Sequence, residues 1–179
     1  EPLSVLDQKF VLERGTKALL GYFKQYAGTF FPPIVNELSV KGVLLDSTNS
    51  RRSSPLRLTG QIDKIELLEP QAVRVVDYKT GRPRAQTEDY RRQLIFYKLL
   101  LDRWDNGKYQ VVEGELDFLE PLPSGRYRRE RFTVTLEETE ALAQTIRQVA
   151  EEILSLDFLD RGCHKTDCQF CTLWAMSQS

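Results

Sequence analysis

GQIDKIELLEPQAVRVVDYKTG, residues 60 to 81, reads as two β-strands joined by a short polar turn at Glu69, Pro70 and Gln71. Leu58, Ile62, Ile65 and Leu67 supply the β-formers of the first run, and Val73, Val75 and Val76 those of the second. Side chains two apart on a strand share a face, so Asp77 and Lys79 project together while Tyr78 points the other way. Pairing of the two runs as a hairpin brings Asp63 beside Asp77. Asp77 follows directly on an apolar run, so its carboxylate emerges where a central strand ends. A charge there is costly unless it is paired or bound to a metal. Thr80-Gly81 then breaks the strand and leaves its end open to a ligand.

An isolated Asp-x-Lys on a strand is ordinarily a solvated cross-strand ion pair. Here two carboxylates converge with an ammonium beside them. That set offers oxygen ligands for a hard divalent cation, Mg²⁺ or Mn²⁺, and a fixed positive charge to orient water and offset developing negative charge. Phosphodiester hydrolysis needs those parts. Asp63, Asp77 and Lys79 are therefore the candidate catalytic residues. Gln93 and Tyr97 follow on a predicted helix, four residues apart and so on one face.

Outward from this centre, residues 4 to 27 read as a long amphipathic helix. Leu6, Phe10, Leu12, Leu19, Leu20, Phe23 and Tyr26 form its apolar stripe, and Phe30-Phe31-Pro32-Pro33 stops it. Strands are predicted at about 36–45, 56–68 and 72–79, with Ser47 to Pro55 as a polar hairpin loop. Tyr90 to Trp104 reads as a helix ended by Asp105-Asn106-Gly107. Gln110 to Leu119 and Tyr127 to Val134 form a second β pair around Pro121-Leu122-Pro123-Ser124-Gly125. Thr135 and Glu138 make a capping box for a helix through Leu156, with Leu142, Ile146, Val149 and Ile153 as its buried stripe. The order αβββαββα implies a mixed α/β fold, a central sheet flanked by helices. A length of 179 residues, 41% hydrophobic and 28% charged, suits a single domain over residues 1–179, with a Cys-rich tail at 160–175. The net charge of −1 excludes a global basic signature, so any nucleic-acid surface is local. No apolar run reaches membrane-spanning length, and nothing resembles a signal peptide.

GQIDKIE, VVDYKTG and QLIFY, in this order, resemble the RecB-like branch of the PD-(D/E)XK nuclease superfamily. More narrowly, they are similar to the nuclease domain fused to the C-terminal end of UvrD/PcrA-type superfamily-one helicases. The resemblance covers residues 4 to 175 and implies the restriction-endonuclease-like fold. It implies metal ligation by Asp63 and Asp77, with the Tyr78 carbonyl as a third ligand, and catalysis by Lys79. Gln93 and Tyr97 would brace the site or touch the DNA backbone. It further implies a Mg²⁺- or Mn²⁺-dependent single-strand exonuclease, part of a helicase-nuclease in DNA repair or recombination. DNA would be its partner, ATP would be used by the attached motor, and the location would be cytoplasmic in a bacterial-type cell. A start at Glu-Pro rather than Met fits a domain excised from a longer protein. One position departs. Active members carry a metal-binding His on the first helix in a G-T-x-x-H-like context, and Gly15-Thr16-Lys17-Ala18-Leu19 puts Leu19 there. A second function class follows, a non-catalytic DNA-binding or assembly module that keeps the nuclease fold. Glu37, where the family often has an acidic residue, is either a further ligand or an ordinary surface carboxylate.

Arg82, Arg84, Arg91 and Arg92 flank the site, where phosphates must pass, and are expected to contact the DNA backbone. Arg126, Arg128, Arg129 and Arg131, interleaved with Tyr127 and Phe132, are expected to form a solvated face. All three cysteines, Cys163, Cys168 and Cys171, fall within nine residues of the tail beside the one histidine, His164. In an intracellular protein such spacing suggests metal more than disulfides. Superfamily relatives use a C-terminal cysteine triplet plus a distant upstream cysteine to hold an iron–sulfur cluster, and this chain has no upstream cysteine. Zn²⁺ held by Cys163, His164, Cys168 and Cys171 is a second reading, although adjacent ligands are geometrically awkward. Reduced, packed cysteines are the third.

Overall fold

The computed structural model describes residues 4–46, 55–81, 88–156, 163 and 167–177, and in it the Val73–Val76 run is the buried centre of a sheet. Strand β3 (Ala72–Lys79) meets β2 (Leu56–Leu67) through the expected tight turn, antiparallel, with Lys64 opposite Val76 and Glu66 opposite Arg74. On its other side β4 (Gln110–Phe118) runs parallel, Asp77 level with Leu116. Parallel neighbours need a crossover, and helix α2 (Glu88–Leu101) supplies it. Strands β1 (Pro33–Leu45) and β5 (Arg129–Thr133) add antiparallel edges, giving the order β1-β2-β3-β4-β5. Helices α1 (Val5–Tyr26), α3 (Leu136–Ser155) and α4 (Gln169–Ser177) complete the described elements with a 3₁₀ turn at Trp104–Gly107. This is the expected mixed sheet with flanking helices, and α4 extends it. No helix among the described residues is long and apolar enough to cross a membrane. Residues 47–54 of the expected polar loop, Arg82, Arg84 and His164 lie outside the described residues.

One face of the sheet is apolar. Val73, Val75, Leu116 and Phe118 receive Leu94, Tyr97, Leu100 and Leu101 of α2 there, each fully buried apolar side chain contributing about 1.5–3 kcal/mol. Two glycines set the approach distance. A Cβ at Gly60 would stand 2.6 Å from Leu100 Cδ1, and one at Gly114 would stand 2.9 Å from Leu94 Cδ1. The helix stops at Leu101 rather than Trp104. Asp102 instead accepts from the Val111 backbone N–H at 3.2 Å and pairs with Lys98 at 2.7 Å, so its carboxylate terminates the helix and fastens β4. The Thr135–Glu138 capping box opens α3 as expected. Ala143 of α3 packs with Leu99 and Leu45, and Ile146 lies at the margin of that contact. Beyond it the expected stripe fails: Val149 and Ile153 are exposed, and the buried positions are Thr139 and Ala143.

The opposite face carries buried charge. Arg74 is held between Glu66, at 2.9 Å, and Glu113. Arg129 reaches Asp117 at 2.8 Å and Glu115 at 3.2 Å, and Arg131 reaches Glu115 at 2.6 Å. The Arg129 side chain is only 13% exposed, so the expected solvated face is instead an inward ion pair at Arg129, while Arg131 pairs with Glu115 from an exposed position. Arg128 pairs with Glu130, and Arg126 is exposed. Helix α1, started by the Ser4 side chain accepting from the Asp7 N–H, meets this charged layer, and apart from ring contacts of Tyr22 with Tyr127 and of Phe23 with Phe30 its stripe is little covered. Leu6, Phe10, Leu12, Leu19, Leu20 and Phe23 are consequently exposed, contrary to expectation, and of its side chains only Tyr22 is buried. Polar ties hold the helix instead. Tyr22 donates its hydroxyl to Asp117 and accepts from Arg129 at 2.9 Å, Arg14 pairs with Glu120 at 2.6 Å, and the Tyr127 hydroxyl donates to the Ala18 carbonyl at 2.6 Å.

Candidate active site

Strand register brings the carboxylates together. Lys64 pairs with Val76, so one step further along the hairpin Asp63 meets Asp77. The Tyr78 backbone N–H donates to Asp63 Oδ2 at 2.9 Å and pins that carboxylate across the strands. On the α2 side, Lys79 Nζ stands 2.6 Å from Asp77 Oδ2 and donates to Gln93 Oε1 at 2.6 Å. Gln93 Nε2 donates to Tyr97 Oη at 2.6 Å, and Tyr97 Oη donates to Asp77 Oδ1 at 3.3 Å. Four side chains from one strand end and one helix face thus close a ring. The Tyr90 ring lies under the Lys79 ammonium, 4.4 Å from nitrogen to centroid, a cation–π contact that further fixes the lysine. Tyr90 is not among the sequence candidates, although its place three before Gln93 and seven before Tyr97 is signal enough.

Asp77 is 2% exposed. Burial pushes its carboxyl above the usual aspartate range; Lys79 opposes that shift and the Asp63 charge adds to it. Oδ2 is the critical atom. It is shielded from solvent, and the Lys79 ammonium is its partner among the described residues. A buried carboxylate with a second carboxylate alongside is further stabilised by a hard cation, since both burial and the neighbouring charge disfavour its ionised form. All-oxygen donors suit Mg²⁺ or Mn²⁺ rather than soft metals, so Asp63 and Asp77 fit the divalent ion the resemblance implies. The Tyr78 side chain turns to the charged face, as strand alternation requires, and burial pushes its hydroxyl up to about 12. Its carbonyl lies in the backbone between Asp77 and Lys79.

The remaining candidates are placed less directly. Glu37 falls between the pairs Asn36–Lys64 and Leu38–Ile62, hence opposite Asp63, at a φ of 53°. Its carboxylate is exposed and accepts from the Gln61 amide. Leu19 lines a groove of about 310 Å³ with Thr80 and Leu119, so this position of α1 reaches the strand ends just past Lys79. Arg91 is turned away from the carboxylates. It donates to Glu138 at 2.6 Å and to the Thr133 carbonyl at 3.3 Å, tying α2 to the start of α3. Arg92 is exposed and pairs with Asp89 at 3.3 Å. In the tail, the sulfurs of Cys163, Cys168 and Cys171 all lie within 4.8 Å of one another.

A family model for the PD-(D/E)XK nuclease superfamily matches residues 4–176. Among solved structures the chain is similar to the crystal structure of SSO0001, at 18% identity and a TM-score of 0.46 over 68% of this chain and 50% of that one. It is also similar to a Eubacterium rectale protein named as an exonuclease, at 11% identity and a TM-score of 0.49 over 86% of this chain and 58% of that one. The chain therefore spans half the length of the first and 58% of the second. No curated protein matches its sequence. With the family match running from the first helix into the last, over a sheet and helices arranged as that family requires, the chain belongs to the PD-(D/E)XK nuclease superfamily.

Proposed function

We propose that this domain hydrolyses DNA phosphodiester bonds at Asp63, Asp77 and Lys79, with Mg²⁺ or Mn²⁺ as cofactor. One observation carries the reading: Asp63 and Asp77 converge at a strand end where a ring of Lys79, Gln93 and Tyr97 fixes the buried Asp77 carboxylate. An ion pair with Lys79 needs only one carboxylate, and the second, Asp63, makes it harder to keep the buried Asp77 charged. Asp63 and Asp77 would hold the ion, with the Tyr78 carbonyl and Glu37 as further candidate ligands. When bound, the ion supplies Lewis acidity toward the phosphoryl oxygens and makes water more acidic. Lys79, fixed by Gln93 and Tyr90, orients water and offsets charge that develops on the phosphoryl group. Tyr97 donates to Asp77 Oδ1 and so fixes the orientation of that carboxylate.

The substrate in this reading is single-stranded DNA degraded from an end and fed by a superfamily-one helicase motor in repair or recombination. Its support is the similarity of GQIDKIE, VVDYKTG and QLIFY to helicase-fused nuclease domains. End-labelled single- and double-stranded DNA, incubated with each metal, tests it. Shortening of the single strand from its end, lost in Asp77→Asn, is the expected outcome, and internal cuts or duplex preference would overturn the finer reading. Leu19 favours a second reading, a DNA-binding module without activity. DNA binding without cleavage under either metal would establish it.

A further inference from the structure

We propose that Cys163, Cys168 and Cys171 form a mononuclear site for Zn²⁺, three thiolates closing on one ion with a non-cysteine donor in the fourth position. The iron–sulfur cluster that the family resemblance implies does not fit these residues. In a cubane each thiolate binds a different iron, so its cysteines must stand apart around a body of metal and sulfide. Here the three sulfurs crowd within 4.8 Å of one another, and those of Cys163 and Cys171 are 3.4 Å apart. Two thiolates on one tetrahedral zinc at ~2.3 Å each are separated by about 3.8 Å, which is the size of this cluster. Soft thiolates select Zn²⁺ over the hard cation suited to Asp63 and Asp77, so the two sites would not compete for one metal.

The placement gives the ion a structural task. Cys168 precedes α4 and Cys171 lies in its first turn, where the Thr172 backbone N–H donates to the Cys168 carbonyl at 3.0 Å. Phe170, Leu173 and Met176 of α4 are exposed, so these three side chains do little to hold the segment. A zinc shared with Cys163 ties the start of α4 to the chain before it. Binding would release the thiol protons and contribute free energy to ordering the tail.

The test is independent of DNA cleavage, so it stands or falls apart from the nuclease reading. Protein produced with both zinc and iron supplied, and purified without oxygen, is analysed for metals and acid-labile sulfide. One zinc per chain without sulfide is expected. Co²⁺ exchanged into the parent should show thiolate-to-metal charge transfer and the intense ligand-field bands of a tetrahedral site. Cys168→Ser should lose its zinc while the far-ultraviolet circular dichroism of the domain persists. If that variant fails to fold, the cobalt spectrum of the parent still decides. Iron with sulfide, a Cys163–Cys171 disulfide in place of metal, an octahedral cobalt spectrum, or zinc retained by Cys168→Ser would each overturn the proposal.

Discussion

Lys79→Ala should destabilise the metal-free domain at neutral pH, and the loss should largely disappear when Asp77 is neutral as well. The ammonium stands 2.6 Å from a carboxylate whose side chain is 3% exposed. Removing one partner of a fully buried pair costs about 3–5 kcal/mol. The Lys79 side chain is 16% exposed, so solvent screens part of the interaction, and about 1–3 kcal/mol is expected. For a domain of this size each kcal/mol lowers Tm by about 2–4 °C. Asp77→Asn removes the charge with little change of shape, so adding Lys79→Ala to it should cost no more than about 0.5 kcal/mol. The difference between the two backgrounds is the coupling energy. The pH dependence has a definite sign. Burial raises the Asp77 carboxyl above its unfolded value, so the native state keeps a proton that the unfolded state has released. Stability linked to this group is full below the unfolded pKa and is lost as pH rises through the native one. Without Lys79 the native pKa rises further, so the Lys79→Ala deficit should widen with pH and narrow toward the aspartate range. Urea melts of the four proteins in chelator, at about pH 5 and about pH 7, measure both effects. Equal losses in the two backgrounds, or a deficit that grows on acidification, would refute the ion pair as the source.

In catalysis, Lys79→Ala should lower single-turnover cleavage by about 10²–10³-fold while DNA affinity changes little, because its charge acts on the transition state. Weakened affinity with turnover intact at saturating DNA would recast Lys79 as a phosphate contact. Tyr97→Phe removes the donor to Asp77 Oδ1 and the acceptor for Gln93, and should cost about 0.5–1.5 kcal/mol in denaturant melts. A variant as stable as the parent would show the ring to be slack. Gly114→Ala places a Cβ 2.9 Å from Leu94 Cδ1 and should cost about 1–3 kcal/mol, also read by urea melts. Leu19→His changes an exposed position, so stability should stay within about 0.5 kcal/mol. Mn²⁺-dependent cleavage should rise, and activity no higher than the parent's would rule out Leu19 as the limiting departure.

The strand pair around Asp77 is legible in the sequence because its information is local: period-two apolar residues, a polar turn at Glu69 to Gln71, and a break at Thr80-Gly81. The burial of α1 is not legible, for a reason outside α1. A hydrophobic stripe predicts a buried face only where the partner surface is apolar, and Tyr22 is buried against Asp117 and Arg129. The alternation of Glu113, Glu115 and Asp117 with Gly114, Leu116 and Phe118 does reveal that β4 has one charged face. By default such a face reads as solvated. Only the pairing of Glu115 with Arg131 and of Asp117 with Arg129 turns it inward, and that pairing belongs to strand register rather than to either segment alone.

The site divides along the same line. That Asp77 and Lys79 share a face follows from strand geometry, and Asp63 joins them through one tight hairpin. The links from Lys79 to Gln93 and from Tyr97 to Asp77 need α2 to cross β3 at a set height and rotation. Helix spacing places Gln93 and Tyr97 on one face but does not say what that face touches. Gly60 and Gly114 determine it by letting Leu100 and Leu94 settle on the sheet, and Leu94 is the immediate neighbour of Gln93. A helix held further out would loosen Tyr90, Gln93 and Tyr97 from the strand end together, because all three reach it from the same face. The precision of the site is therefore inherited from backbone-level packing beside it. For that reason Gly114→Ala is expected to slow cleavage as well as lower stability, although Gly114 itself has no side chain to offer the reaction.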